Sequence, residues 1–331
     1  MPIRKVHGEH MTQPLHVVLG AGQVGGQVAS LLRDRGLRVR VVCRGAVRDV
    51  GNGVEHRAAD LRDPEAAIAA MAGADVLYHC VNPPYEVWAT ELPRLTANIL
   101  VGAARANARL IVLDNLYMYG DTQHMNEDTP MAPTTRKGEL RARASDELLA
   151  AHHAGTVRVA IARASDFFGP GATNAHFGDR FYRRIFAGKP GECLGDVDQP
   201  HTYSFTPDVA AGLVTLGLDE RGDGKVWMLP AHPAESTRAV ANRMGAVLGR
   251  EIRMTRIPGW ALTIMGLFSK PMRELGEMTY QWLQPFAVDD SRFRATFGVE
   301  PTAWTKAIDR TMTWARSRYG AEVVKAERVV I

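Results

Sequence analysis

The chain has 331 residues, 46% of them hydrophobic and 23% charged, a composition that allows one large α/β domain or a nucleotide-binding domain with a smaller partner. Its formal net charge is only +4, with basic residues interleaved among acids, which excludes a nucleic-acid stripe. No apolar run reaches the ~20 residues of a membrane span, and the scattered Cys43, Cys80 and Cys193 form neither a zinc set nor a disulfide framework, pointing to no metal and a reducing cytoplasm.

The opening MPIRKVHGEH lacks the apolar core of a signal peptide and reads as a loose extension, with Met11 an alternative start. The chain then organises around Leu15–Ser30, LHVVLGAGQVGGQVAS. Leu15, Val17, Val18 and Leu19 predict a buried strand, Gly20-Ala21-Gly22-Gln23-Val24-Gly25 a tight turn, and Gln27–Asp34 a helix. Strand, glycine turn and helix start in this order form the Rossmann fingerprint of dinucleotide binding. Gly20 permits the turn, Gly22 lets the backbone approach a pyrophosphate, and Gly25 lets helix and strand pack closely. The helix N-terminus offers N–H groups to the phosphates. A purely structural glycine turn is the alternative.

Leu37–Val42 alternates with arginines and predicts the second strand. An NAD enzyme usually places Asp or Glu at its end to hold the ribose 2′-hydroxyl. Here Cys43-Arg44 stands instead, with Arg48 nearby, and a guanidinium suits a 2′-phosphate, so NADP is expected ahead of NAD. A solvated loop arginine is the bland reading. Asp60 ends a short third strand, where its carboxylate could meet the adenine amine, and Asp63-Pro64 starts a helix through Met71. Val76–Cys80 predicts the fourth strand and Val81-Asn82-Pro83-Pro84 a ligand-side turn without helix potential. A helix over Val87–Asn107 returns to a fifth strand, Leu110–Leu113, so the class is α/β with a doubly wound parallel sheet.

Beyond this point four runs carry a family likeness: Asp114-Asn115-Leu116-Tyr117-Met118-Tyr119-Gly120, Arg163 to Gly171 (RASDFFGPG), Leu194-Gly195-Asp196, and Phe205 to Ala210 (FTPDVA). Together they resemble the extended short-chain dehydrogenases/reductases, the NAD-dependent epimerase/dehydratase family, well over Leu15–Ala210 and loosely beyond. The resemblance implies Ser or Thr after the fifth strand and Tyr-x-x-x-Lys on the next helix. Counting from Tyr119-Gly120, and on from Glu127-Asp128-Thr129-Pro130, the slots hold Asn115, Lys137 and Arg141. Gly138 and Ala142 fall where the family often has Gly and Ala, which supports this alignment.

The usual triad is therefore replaced. Lys137 and Arg141, four apart on a helix, share a face. Lys137 is the expected electrophile at a carbonyl oxygen, Asn115 a second donor, and Arg141 the group on the ribose. Asn115 and Tyr117 share a face if the strand persists, making Tyr117 a rival proton donor. The competing readings are core packing for Tyr117 and Tyr119, and a solvated face for Lys137 and Arg141. The cofactor-binding set is Gly20, Gly22, Gln23, Val24, Gly25, Arg44, Asp60, Leu61, Val81, Asn82 and Lys137.

Residues 172–201 read as an insert over the cofactor, Val226–Pro230 as a strand and Thr237–Gly249 as a helix. Ile257–Glu277, with Trp260, Leu262, Met265, Leu267, Phe268 and Met272, and then Tyr280, Trp282 and Phe286, reads as core more than pocket. The resemblance assigns part of it to a substrate lobe. The expected division is 12–170 plus 202–232 for the NADP-binding domain and 171–201 plus 233–331 for that lobe. Helices at Val87–Asn107 and Arg136–His152 match the pair through which relatives dimerise, with Leu95, Ile99, Ala103, Leu140, Ala144 and Leu148 as the homodimer face unless they simply cover the sheet. The leading functional reading is a cytoplasmic NADP-dependent reductase or dehydrogenase of a small carbonyl or alcohol. A sugar-nucleotide epimerase and a non-catalytic NADP-binding sensor are the alternatives.

Overall fold

The computed structural model describes residues 13–45, 51–258, 264, 267, 273, 274 and 276–328, with side chains as far as Gly320. The N-terminal extension, Arg48, Trp260, Leu262, Met265, Phe268 and Met272 lie outside the described residues.

Strand β1, Leu15–Leu19, is buried at every position, as a continuous apolar run on a sheet covered on both faces requires. It lies inside a seven-stranded sheet, next to the central strand β4 (Val76–His79), with β2 (Arg38–Cys43), β3 (Val54–Ala58), β5 (Arg109–Asp114), β6 (Val159–Arg163) and β7 (Val226–Met228). The order is β7-β6-β5-β4-β1-β2-β3 and every pairing is parallel. Alternation along β1 divides the core. Val18 packs with Val28, Leu32 and Leu213, on the side of α1 (Gly25–Asp34) and α6 (Thr206–Leu218). Val17 and Leu19 pack with Ala67, Met71 and Ile99, on the side of α2 (Pro64–Met71) and α3 (Trp88–Ala106). The strand order reverses between β1 and β4, and loops at the carboxyl ends of β1, β2 and β4 open there.

Local chemistry explains the element ends. Asp63 accepts a hydrogen bond from the Ala66 amide at 2.9 Å and caps α2. Asn107 takes a left-handed conformation (φ 52°) and ends α3. Helix α4, Arg136–His153, is capped by Thr135, which accepts from Gly138 N at 3.1 Å. Strand boundaries move by a residue or two from expectation, and Val226–Pro230 shortens to Val226–Met228.

One expectation is corrected here. Leu95, Ile99, Ala103, Leu140, Ala144 and Leu148 are all buried within the single chain. Leu95, Ile99, Ala103 and Leu148 join the sheet core, and Leu140 packs on Trp88 and Leu92. Their helical spacing encodes burial inside the chain, four of them against the sheet and Leu140 against α3, which leaves these six buried side chains no free face for a second subunit.

Beyond β6 the chain builds a second layer. The short strand Asp166–Phe168 pairs with Tyr203–Phe205, and Pro200–His201 pairs with Glu235–Ser236. Helices α5 (Asp179–Phe186), α7 (Thr237–Leu248) and α9 (Trp304–Arg328) enclose an aromatic core that includes Phe177, Phe181, Tyr182, Tyr203 and Tyr319. Helix α8, Ser291–Phe297, returns Phe293 to the sheet beside Trp227.

Candidate active site

The glycine turn meets its requirements one residue at a time. Gly20 has φ +91°, in the left-handed region. A Cβ at Gly25 would lie 1.9 Å from the Gly20 carbonyl oxygen, so α1 can approach the turn only with glycine there. A Cβ at Gly22 would meet nothing within 4 Å, and Gly22 lines a cavity of about 650 Å³. That open backbone before a helix N-terminus is the place a pyrophosphate needs. The start of the 172–201 insert is tied to this turn. Gln27 Nε2 donates to the carbonyls of Gln23 and Pro170, each at 2.9 Å, and the Asn174 amide donates to Gln23 Oε1 at 3.0 Å.

The cavity follows the carboxyl ends of the strands. Gln23, Val24, Arg44, Asp60, Leu61, Val81 and Asn82 line it beside Gly20 and Gly22, as do Asn115, Tyr117 and Arg141. Of the residues expected from sequence, Gly25 lies beneath the turn and Lys137 is outside the lining. Arg44 is exposed at the cavity edge. Asp60 receives Arg62 Nε at 2.9 and 3.0 Å and its NH2 at 2.6 Å, and these bonds, with the charge of Arg44, bring its carboxyl down to about 2.

At the other end β5 stops at Asp114, and Tyr117–Tyr119 form a single 3-10 turn. Asn115 and Tyr117 therefore do not share a pleated face. They meet in the cavity because Asn115 Oδ1 accepts the Tyr117 amide at 3.2 Å, fixing the turn. The Tyr117 hydroxyl lies 2.6 Å from that of Tyr85, and both rings flank Trp88. Burial among these rings, then the Tyr85 phenol and the Asp166 carboxylate, push Tyr117 well above its ordinary value. Tyr119 is core, its hydroxyl bound by Arg163.

Lys137 and Arg141 are both buried, which removes the solvated-face reading. They diverge nonetheless. Arg141 NH2 donates to Asn82 Oδ1 at 2.7 Å, its guanidinium stacks 4.4 Å from the Trp88 ring centroid, and Asp114 lies 3.4 Å away. Lys137 Nζ instead donates to Glu274 at 2.5 Å and to Glu277. A buried ammonium demands such carboxylates, and this one, paired to both, lies 5.3 Å from the ring centroid of the cavity residue Tyr85 without itself joining the lining. His79 is kept neutral: burial and then Arg141 lower it to about 3, and the Val81 amide donates to its Nδ1.

Asp114 Oδ1 and Arg141 Nε, both in buried side chains, have no hydrogen-bond partner among the described residues. Asp114 and Arg141, which face each other at 3.4 Å, give this end of the lining a charged pair, and with the open Gly22 that polar lining fits a dinucleotide. Sequence reasoning missed Tyr85, Asp166 and His201. Tyr85 follows the Pro83-Pro84 turn, Asp166 lies within the family-like run after β6, and His201 sits in the insert. Among the described residues, no group of three or more His, Cys, Asp or Glu is placed to hold a metal, and no helix is long and apolar enough to cross a membrane.

No curated protein matches the chain in sequence. Its structure is similar to a nucleoside-diphosphate-sugar epimerase from Pseudomonas aeruginosa (16% identity, TM-score 0.72, covering 93% of this chain and 99% of that one). It is also similar to UDP-glucuronic acid 4-epimerase from Bacillus cereus in complex with NAD (13%, TM-score 0.75, 92% and 99%). MoeE5 in complex with UDP-glucose and NAD is a further neighbour (18%, TM-score 0.72, 92% and 99%). At these identities the neighbours establish the fold. The sequence profile of the NAD dependent epimerase/dehydratase family matches residues 16–228. The chain belongs to the NAD dependent epimerase/dehydratase family, enzymes of the extended short-chain dehydrogenase/reductase type.

Proposed function

We propose that the chain binds a nicotinamide dinucleotide in this cavity and oxidises or reduces a carbon of a small-molecule substrate at its Tyr85–Tyr117 end. The observation carrying this reading is one continuous lining from the open backbone at Gly22 to the tyrosine pair. When bound, the dinucleotide supplies or accepts hydride. The Gly20–Gly25 turn holds the pyrophosphate, Asp60 and Leu61 the adenine side, and Val81, Asn82 and Arg141 the nicotinamide half. Asn115 orients the Tyr117 turn. Tyr117, kept protonated and hydrogen-bonded to Tyr85, donates a proton to the substrate oxygen.

Family and neighbours support a sugar nucleotide as the substrate class, ahead of the small carbonyl compound expected from sequence. A reductase of a small carbonyl is the second reading, favoured by the one property that Tyr117 is held as an acid. Arg44 supports NADP, whereas two of the named neighbours, the Bacillus cereus epimerase and MoeE5, are in complex with NAD. The division into 12–170 plus 202–232 and 171–201 plus 233–331, a homodimer, and a reducing cytoplasm belong to the same proposal.

Calorimetric titration with both dinucleotides tests it. NADP(H) should bind about one to two decades more tightly than NAD(H), and Arg44→Ala should remove that margin, the ~1.5–3 kcal/mol of a charged hydrogen-bonded pair. Equal affinities reject the NADP assignment, and no binding of either rejects the function. Turnover is then assayed with UDP-sugars and with a carbonyl panel. Tight binding with no turnover in either supports the sensor.

A further inference from the structure

His201 ends the short strand Pro200–His201 and is 1% exposed, its ring stacked 5.4 Å from Trp282 and 5.0 Å from Phe286. Its Nδ1 lies 3.2 Å from the carbonyl oxygen of Gln281, and its Nε2 lies 2.8 Å from Asp166 Oδ2. A carbonyl oxygen only accepts, so Nδ1 carries a hydrogen. An ionised carboxylate also only accepts, and a neutral imidazole has a single N–H. Both contacts are satisfied together only when Asp166 and His201 hold one proton more than a neutral imidazole beside a carboxylate. Asp166 lines the same cavity as Tyr85 and Tyr117, with Gln281 and Phe286 beside it.

We propose that the Asp166–His201 pair is a second proton carrier of the active site, exchanging this proton with the substrate oxygen. The inference rests on the reading of the cavity as a hydride-transfer site. In reduction, as the substrate carbon receives hydride from the dinucleotide, the pair's O–H or N–H bond breaks and a new substrate O–H bond forms. Carboxylate and neutral imidazole remain, and water returns a proton. In oxidation the deprotonated pair takes the hydroxyl proton, which a phenol held protonated cannot do. The titratable groups facing the pair do not compete for it. Burial keeps His176 neutral, lowering it to about 4, and keeps Tyr85, Tyr117, Tyr203 and Tyr280 protonated.

Imidazole nitrogen NMR on the ligand-free full chain reads the pair without any substrate. The expected result at neutral pH is His201 protonated on both nitrogens, or on Nδ1 alone with a protonated-carboxyl infrared band that disappears in Asp166→Asn. His201 bearing a single proton on Nε2 beside an ionised Asp166 overturns the proposal. In steady-state kinetics Asp166→Asn should lower kcat by about 10²–10⁴ and remove one limb of the pH profile, with dinucleotide affinity retained. His201→Phe keeps the ring stack and should do the same, which guards against a folding defect in the first variant. Full turnover in both variants overturns the proposal and leaves the cavity's reading intact. Failure of the wild-type chain to bind a dinucleotide overturns that reading instead.

Discussion

A phenol buried beside a second phenol and a carboxylate stays protonated, and this sets what Tyr117 can contribute to chemistry. Tyr117→Phe keeps the ring on Trp88 and should lower kcat by about 10²–10⁴ with the dinucleotide Kd unchanged. Tyr85→Phe removes only the partner hydroxyl at 2.6 Å and should cost about tenfold, near the worth of one hydrogen bond. Steady-state kinetics of the pair checks both. Lys137 belongs to a different balance. Burial alone would raise Glu277, but its hydrogen bonds with Lys137 outweigh that and hold the carboxyl below its ordinary value. A carboxyl depressed in the folded state stabilises above its unfolded value of roughly 4.3, and that stabilisation fades as pH falls through the folded one. Lys137→Met should therefore unfold about 1–3 kcal/mol more easily at neutral pH and lose this acid-limb dependence, because a half-buried carboxylate pair is left uncompensated. Denaturant titrations across pH measure it. A kcat loss of about 10² with stability intact would return Lys137 to the electrophile role.

The first βα unit separates folding from binding within five residues. Gly25→Ala would drive a methyl into the Gly20 carbonyl and should cost about 1–3 kcal/mol of stability, read as a lower Tm. Gly22→Ala meets open space, so its Tm should match wild type while dinucleotide affinity falls about tenfold, or 1.4 kcal/mol. If Gly22→Ala binds like wild type, the pyrophosphate lies elsewhere. Helix α4 illustrates the opposite limit of an element's authority. Its period brings Lys137 and Arg141 to one face, yet four residues advance a helix by ~6 Å. That distance is enough for one side chain to reach the cavity and the other to reach Glu274 and Glu277.

Across the whole molecule, α2, α3 and α4 cover one face of the sheet, and the apolar residues that attach α3 and α4 are spent on that attachment. A dimer through this pair must use outward residues, of which Val101 on α3 is 47% exposed. Light scattering should report a dimer at micromolar concentration, with Val101→Glu shifting it to monomer at unchanged Tm. A monomeric wild-type chain rejects the dimer. Leu95→Glu and Ile99→Glu should instead unfold the protein, since both side chains lie in the sheet core.

The strand, turn and helix of Leu15–Asp34, and most of the sheet, were legible because they rest on spacing within about twenty residues: apolar runs, glycines at fixed offsets, Asp63 before Pro64. Those short-range rules also pointed to the glycine-turn end of the cavity, the end proposed for the dinucleotide, because loops at strand ends line it. The opposite end, with its buried tyrosine and carboxylate–imidazole pairs, was not legible. Tyr85 and Tyr117 lie 32 residues apart, Asp166 and His201 lie 35 apart, and Lys137 finds its carboxylates 137 and 140 residues away. No periodicity records such meetings. The helical spacing of Leu95, Ile99 and Leu148 declared an apolar face and left its partner open. Only the closed packing decided that the partner is the sheet, that Lys137 is neutralised by carboxylates, and that a carboxyl–imidazole pair faces the tyrosines. A buried charge or donor is satisfied by whatever the tertiary fold brings within hydrogen-bond reach.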